Sequence, residues 1–217
     1  HYKRFSDGDF TYGVTLAKVN SRLVLRLSES EILPYRFINM ADNIKTFSDS
    51  NKKFAKQVKE ETVRRNNLLN KKAFTIAKNP KIQYSPPKRL SEMKDFDFSP
   101  LDRSYKKLLD AAISFEKAIE RTKIDNISQT DLTEINRLIR EVEGALTLEE
   151  GLPRRPWYKN MIYAPGFYTG YGVKTLPGIR EGLEERKWDD VDLYILKVSK
   201  AIERASNKIK KAALLLG

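Results

Sequence analysis

The sequence predicts an all-α fold: an up-and-down four-helix bundle with a long crossover and a projecting loop rich in glycine, proline and tyrosine. Apolar residues recur at intervals of three and four along several segments, which is the spacing of one helical face. No apolar-polar alternation is long enough to indicate a strand of ordinary length. One stretch, residues 151–179, differs from the rest and holds five glycines, four prolines and four tyrosines.

The N-terminal part of the chain predicts three helices. The first covers residues 11–30, and Pro34 ends this region because a proline excludes its predecessor from the helical conformation. Residues 35–48 and 51–79 are predicted as two further helices, the second with a thin apolar stripe. One face of the first helix carries four apolar residues: Leu16, Val19, Leu23 and Leu27.

The C-terminal part gives the clearest helical patterns. Residues 79–100 contain four prolines and no period, which predicts the crossover. Beyond it, apolar stripes run through 105–119, 135–145 and 191–216, with a short link at 124–130. We expect all the apolar stripes of the chain to pack as core, except one that faces a second copy.

The composition excludes several kinds of chemistry. The chain has no cysteine, so it has neither a disulfide nor a thiolate metal site. Its single histidine is His1, which leaves no internal imidazole for a nucleophilic triad or a histidine-rich zinc site. We therefore expect no catalytic residue and no metal ligand here. No apolar run approaches the roughly 20 residues of a membrane span.

The net charge of +12 is concentrated in residues 51–89, which hold twelve lysines and arginines against two glutamates. Few aromatic residues accompany them, so base stacking is not favoured and no nucleic-acid partner is expected. A solvated basic helix and loop is the main interpretation. The alternative is an anionic partner, such as a membrane surface or an acidic protein.

Residues 151–179, hereafter the tyrosine loop, combine stiffness with exposed hydroxyl groups. Four prolines restrict the backbone, while the glycines allow conformations that other residues avoid. A rigid aromatic loop on a helical scaffold suits binding. The composition fits an ordered connector whose tyrosines pack internally equally well.

The motifs "GLPRRPWYKNMIYAP" and "LPGI" in this loop resemble the C-terminal segment of the glutamate carboxypeptidase and transferrin receptor family. That family carries a G-L-P-x-R-P-[FWY]-[YF] pattern, then an [FL]-P-G-[IV] element at the same separation. Other parts of the chain resemble the family in the same order. Residues 4–35 resemble the family's K-F-x-D-P-x-F element and the helix that follows it. The stretch "DFDFSPLDRSYKKL" resembles the start of the family's next bundle helix. The form "YAPGFYTGYGVKTLPG" is most similar to fungal vacuolar-sorting and transferrin-receptor-like members.

The resemblance implies that residues 1–217 are the helical dimerisation domain at the C-terminal end of a longer parent protein. The implied partners are a second copy and the parent's own protease-like domain. Zinc would lie in that other domain if the parent is active, and no metal role is carried onto His1. The family also implies a type II membrane anchor outside this chain. The domain would then lie on the lumenal side of a vacuolar, endosomal or other secretory-pathway membrane. The glycosylation triplet Asn126-Ile127-Ser128 agrees with that location.

The resemblance also implies substrate-side residues. In the glutamate carboxypeptidases, a Lys-Tyr pair in this loop binds the acidic side chain of the substrate. Gap-free alignment places Gly170 at the lysine and Tyr171 at the tyrosine, which puts a preference for glutamate in doubt. Lys174 is near in sequence but does not align with that lysine. We expect Tyr171, and not Tyr163, to face the active-site cleft of the parent.

Three functions follow. The first is the dimerisation domain of a zinc-peptidase-like membrane protein, of carboxypeptidase or aminopeptidase type, that lends one wall of the substrate pocket. The second is the same domain in an inactive receptor or adaptor of vacuolar or endosomal sorting. The third, if the resemblance is accidental, is a free-standing basic helical bundle that binds anionic partners.

Overall fold

A computed structural model describes residues 2–76, 79, 81 and 85–217, and these residues are mainly helical. His1 and six residues of the basic segment lie outside this range. The all-α class is therefore confirmed, with a two-stranded antiparallel sheet, β1 (Tyr163–Pro165) and β2 (Val173–Thr175), inside the tyrosine loop. The helices in chain order are α1 (Tyr2–Phe5), α2 (Thr11–Ser28), α3 (Phe37–Asn70), α4 (Ala73–Ile76), α5 (Ser99–Arg121), α6 (Gln129–Ala145), α7 (Pro177–Glu185) and α8 (Trp188–Leu215).

Helix α8 lies at the centre of the core. It packs against α5, α6 and α7, while α3 packs against α5 and α7. The predicted apolar stripe of α8 is buried from Val191 to Ala212 and includes Val198 and Ile202, both fully enclosed. The stripes of α5 and α6 meet it, with Leu108, Phe115 and Ile135 also fully enclosed. The predicted core of the C-terminal helices is thus confirmed except at Ile119, the last residue of the α5 stripe, which is 37% exposed.

Pairs of side chains define the directions of the helices. Helix α3 is antiparallel to α5, because Arg36 pairs with Glu116 and Lys52 with Asp102. Helix α6 is antiparallel to α8, because Lys208 pairs with Glu141 and Arg204 reaches the carbonyl of Ala145.

Helices α5 and α8 run parallel in direct contact. Lys107 pairs with Glu203 near the middle of both helices, and Thr122 bonds to the carbonyl of Leu216 where both end. The predicted up-and-down four-helix bundle is therefore not confirmed in detail, because neighbouring helices of a regular bundle of that kind alternate in direction.

Residues 37–70 form one helix rather than the predicted two, and this helix ends at Asn70; residues 77 and 78 of the predicted second helix lie outside the described residues. The reason is local: this range contains neither proline nor glycine, so nothing interrupts the helix near residue 50. The inward face of its second half is largely polar. Asn66, for example, exchanges two 3.0 Å hydrogen bonds with the backbone of Leu90 and so holds this part of the crossover against the helix.

Helix α2 has the predicted amphipathic sequence but buries no residue. Leu16, Val19 and Leu23 are each more than half exposed, and Leu27 is 39% exposed. This stripe therefore does not join the core of the described part of the chain, which leaves α2 as the stripe available to a partner surface. The connection after α2 is nevertheless fixed, because Asn136 bonds to Glu31 and Leu33 backbone groups at 2.6 and 2.9 Å.

Candidate functional site

The tyrosine loop begins with a tight turn that is tied to the core. Gly151 has φ 63°, and a Cβ at this position would lie 2.2 Å from the carbonyl oxygen of Pro156, so the turn requires glycine. Its carbonyl accepts a 2.8 Å hydrogen bond from the Tyr194 hydroxyl of α8. Burial raises the pKa of Tyr194 to about 12, so this donor keeps its proton at physiological pH. The base of the loop is therefore tied to α8.

Strands β1 and β2 form a hairpin whose tip spans residues 166–172. Tyr163 lies opposite Thr175, and Ala164 opposite Lys174. The tip is closed by the Gly166 amide, which donates to the carbonyl of Gly172 at 2.9 Å. The hairpin projects its tip residues into solvent and rests on buried Ala164.

A buried ion pair joins the turn, the hairpin and α7. Arg155 and Glu181 are 2% and 5% exposed, and Nη2 of the arginine lies 2.8 Å from both carboxylate oxygens. The Arg155 guanidinium also donates to the carbonyl of Pro165 at the end of β1. Glu181 Oε1 accepts a 2.9 Å hydrogen bond from the amide of Phe167 in the tip. This pair therefore fixes where the hairpin leaves the core.

A second carboxylate on α7 holds the outer strand. Lys174 of β2 and Arg180 of α7 lie 2.7 and 2.9 Å from Oε1 of Glu184. Burial alone would raise the pKa of Glu184, but the bonds from the two cations outweigh it and lower that pKa. Because its ammonium is engaged here, Lys174 does not stand free beside Tyr171.

The "LPGI" motif is the hinge between the hairpin and α7. Leu176 is fully buried with φ 47°, and its amide donates to the carbonyl of Ile162 at 2.7 Å. Gly178 lies against the ring of Tyr194, where an added Cβ would come 2.1 Å from Cδ1. The motif is therefore a packing element, a role that its sequence alone does not reveal.

The residues predicted to meet substrate lie at the tip. The Tyr171 side chain is fully exposed, and an added Cβ on Gly170 would meet no described atom within 4 Å. Tyr163 instead donates a 2.7 Å hydrogen bond to Glu143 of α6, which raises the pKa of its hydroxyl. The two tyrosines thus differ in surroundings, and the role of Tyr171 stays a prediction.

A further cation, Arg154, lies beside the tip. Its guanidinium stacks 4.2 Å from the ring centroid of Phe167, and Nη2 lies 2.6 Å from Glu185. This ion pair raises the pKa of Arg154 and lies on the α7 side of the hairpin. Sequence reasoning missed the roles of both Arg154 and Arg155, because neither spacing nor hydropathy indicates their carboxylate partners.

No group of three or more metal-ligating side chains occurs among the residues that the structure describes. The donors needed for a zinc centre are therefore not assembled by this part of the chain. Among the same residues, no helix combines the length and apolarity needed to cross a membrane.

Comparison with known proteins places these features in a family. The family profile for the transferrin receptor-like dimerisation domain matches residues 96–210. A probable glutamate carboxypeptidase of Arabidopsis thaliana is 29% identical, with 96% of this chain and 26% of that protein aligned. One of Arthroderma benhamiae is 32% identical over 58% of this chain and 16% of its own length.

A more distant relative is an inactive zinc metalloprotease of Schizosaccharomyces pombe, 21% identical over 94% of this chain and 28% of its own length. The aligned part of the chain makes up 16% to 28% of the lengths of these three relatives. The family profile covers more than half of the chain, including α5, α6, the tyrosine loop and most of α8. The chain belongs to the transferrin receptor-like dimerisation domain family, whose members include glutamate carboxypeptidase-like proteins.

Proposed function

We propose that this domain pairs two copies of a zinc-peptidase-like parent protein and lends one wall of its substrate pocket through the tyrosine loop. The observation that carries the proposal is the hairpin itself. Its tip exposes Tyr171 completely, while Arg155 and Glu181 hold its base inside the core. A rigid base with an exposed phenol suits a surface that meets a ligand rather than one that fills a core.

The exposed face of α2 supports a second contact within the parent. An 18-residue helix that buries none of its side chains leaves a continuous apolar surface, which marks an interaction site. The Arabidopsis relative aligns with 96% of this chain, so α2 belongs to the shared part. We assign the α2 face to the parent's own protease-like domain, where zinc would be held by residues outside this chain.

The chemistry expected of Tyr171 is hydrogen bonding to an acidic or carbonyl group of the substrate. A phenol that donates to a carboxylate contributes about 1.5–3 kcal/mol. No ammonium accompanies it, because Gly170 has no side chain and Lys174 is paired with Glu184. The preference for glutamate is therefore weaker than in a relative with a Lys-Tyr pair.

The test is steady-state kinetics of the full-length protein on peptides with an acidic or a neutral terminal residue. Tyr171→Phe is expected to lower kcat/KM about 10- to 100-fold. Gly170→Lys should raise the preference for glutamate, and the open space around Gly170 accepts the longer side chain. Tyr163→Phe is the matched control and should leave kcat/KM unchanged. An active enzyme that responds to neither tip variant would reject the pocket-wall role.

The S. pombe relative favours a second function, because it is named an inactive zinc metalloprotease. In that case the domain pairs two copies of a receptor or adaptor in vacuolar or endosomal sorting, and the tip contacts a cargo protein. Metal analysis of the full-length protein separates the two functions. Tightly bound zinc supports the peptidase, whereas a folded metal-free protein supports the receptor. The free-standing basic bundle required an accidental resemblance, which the family match removes.

A further inference from the structure

The connection between α5 and α6 contains Asn126-Ile127-Ser128, the one Asn-x-Ser/Thr triplet in the 217-residue sequence. Asn126 ends a short 3-10 turn and is exposed. Its carboxamide makes no hydrogen bond to any residue that the structure describes, so a substituent on the side-chain nitrogen breaks no contact there. Asparagine in this triplet is the acceptor for N-linked oligosaccharide.

The residue after Asn126 fixes the connection without covering it. Ile127 packs against the core, and its amide donates to the carbonyl of Ile124 at 2.9 Å. Both Ile127 and Ser128 are extended, with ψ 135° and 149°. The turn is thus anchored on one side by an apolar residue and presents Asn126 on the other.

Ser128 serves the fold independently of the triplet. It is the N-cap of α6: its hydroxyl accepts a 3.0 Å hydrogen bond from the Asp131 amide and donates to the Asp131 carboxylate at 2.6 Å. The capping role and the acceptor role can be separated by mutation. Aspartate caps a helix but does not complete the triplet, whereas threonine does both.

The position of Asn126 keeps a glycan away from the candidate site. Thr122 bonds to the carbonyl of Leu216, so this connection lies where α5 and α8 end. The tyrosine loop follows the opposite end of α6, whose 17 residues span about 25 Å. A glycan at Asn126 therefore leaves the hairpin free.

We propose that Asn126 is N-glycosylated, which rests on the proposed family function and on the lumenal location that the family resemblance implies. The Asn126 side-chain nitrogen forms a bond to C1 of the first sugar of a lipid-diphosphate-linked oligosaccharide. The bond from that carbon to the diphosphate oxygen breaks, the lipid diphosphate leaves, and the amide nitrogen loses one proton. The end of the helical core that carries Asn126 then faces solvent in the assembled parent.

The experiment expresses the full-length protein in a eukaryotic secretory host with a C-terminal tag that carries its own acceptor triplet. Peptide mapping by mass spectrometry, with and without peptide N-glycosidase, reads both sites. The wild type and Ser128→Thr should carry a glycan at Asn126. Asn126→Gln and Ser128→Asp should each lose that glycan and keep the one on the tag, and Ser128→Asp retains the helix cap.

Two outcomes would overturn the inference, and they differ in what else they reject. A glycosylated tag beside an unmodified Asn126 rejects the acceptor site and leaves the lumenal location intact. An unmodified tag beside an unmodified Asn126 rejects the lumenal location and the acceptor site together.

Discussion

Arg155 and Glu181 fix the point at which the hairpin of the candidate site leaves the core. Both side chains are almost fully buried, and they bond to each other, to the carbonyl of Pro165 and to the amide of Phe167, while Nε of Arg155 has no partner among the described residues. Removing one partner leaves an uncompensated charge in the core. This lowers the free energy of unfolding far more than the loss of an exposed ion pair does. The placement of Tyr171 therefore depends on residues that no substrate would touch.

Arg155→Met should lower the free energy of unfolding by about 3–5 kcal/mol, because it strands the Glu181 carboxylate. Replacing Glu181 by leucine in the same variant should restore part of the loss, since no buried charge remains. Chemical denaturation followed by tryptophan fluorescence measures both. The control is Arg137→Met on the exposed face of α6, where the expected change is at most about 1 kcal/mol. Equal effects of Arg155→Met and Arg137→Met would contradict the assignment.

Gly178→Ala tests the packing role of "LPGI". The new methyl group meets the buried ring of Tyr194, which has no room to move, so a loss of about 1–3 kcal/mol in unfolding free energy is expected. Gly144→Ala in α6 is the comparison, because it meets no described atom and should stabilise the helix by about 0.5–1 kcal/mol. Thermal unfolding of both variants gives the answer. A neutral Gly178→Ala would show that the hinge tolerates a side chain.

At the scale of elements, the outer strand of the hairpin is held by a titratable contact. The pKa of Glu184 is lowered by Lys174 and Arg180, so its contribution is present above the ordinary value of 4.5 and is lost as pH falls through the lower, folded-state value. The protonated carboxyl no longer pairs with Lys174, and β2 loses its tie to α7.

Lys174→Met should therefore destabilise the protein near neutral pH by up to about 1 kcal/mol, and the difference from wild type should shrink below pH 4.5. Denaturant midpoints across the acid range measure the difference. Lys159→Met, which removes an exposed pair with Glu149, is a control expected to show little effect at any pH. A stability difference between wild type and Lys174→Met that grows as pH falls would contradict the proposed role of Glu184.

The sequence predicted the helices of the C-terminal half well, because their apolar faces pack against α8 and keep a strict period. It predicted α3 less well, because its inward face uses Asn51, Thr62 and Asn66, which hydropathy assigns to solvent. The loop motif led to the family, but not to the hairpin. Its strands are three residues long, and the ion pair that fixes them joins positions 26 residues apart.

For the whole molecule, the family assignment makes self-association the main expectation. The full-length protein should run as a homodimer in light scattering at micromolar concentration, with an interface above roughly 2,000 Å² in total. Charge reversals on α2 should leave the dimer intact if that face meets the protease-like domain, and dissociate it if α2 faces a second copy. A monomeric full-length protein would remove the dimer from the proposal.

The central position of α8 has a consequence for biosynthesis. Helices α3, α5 and α6 emerge from the ribosome before α8, yet α5 and α6 bury their apolar faces against it. Until translation passes residue 215, those faces have no partner and attract chaperones or other nascent chains. We therefore expect a premature stop codon before α8 to leave the apolar faces of α5 and α6 unpacked and to prevent the core from forming.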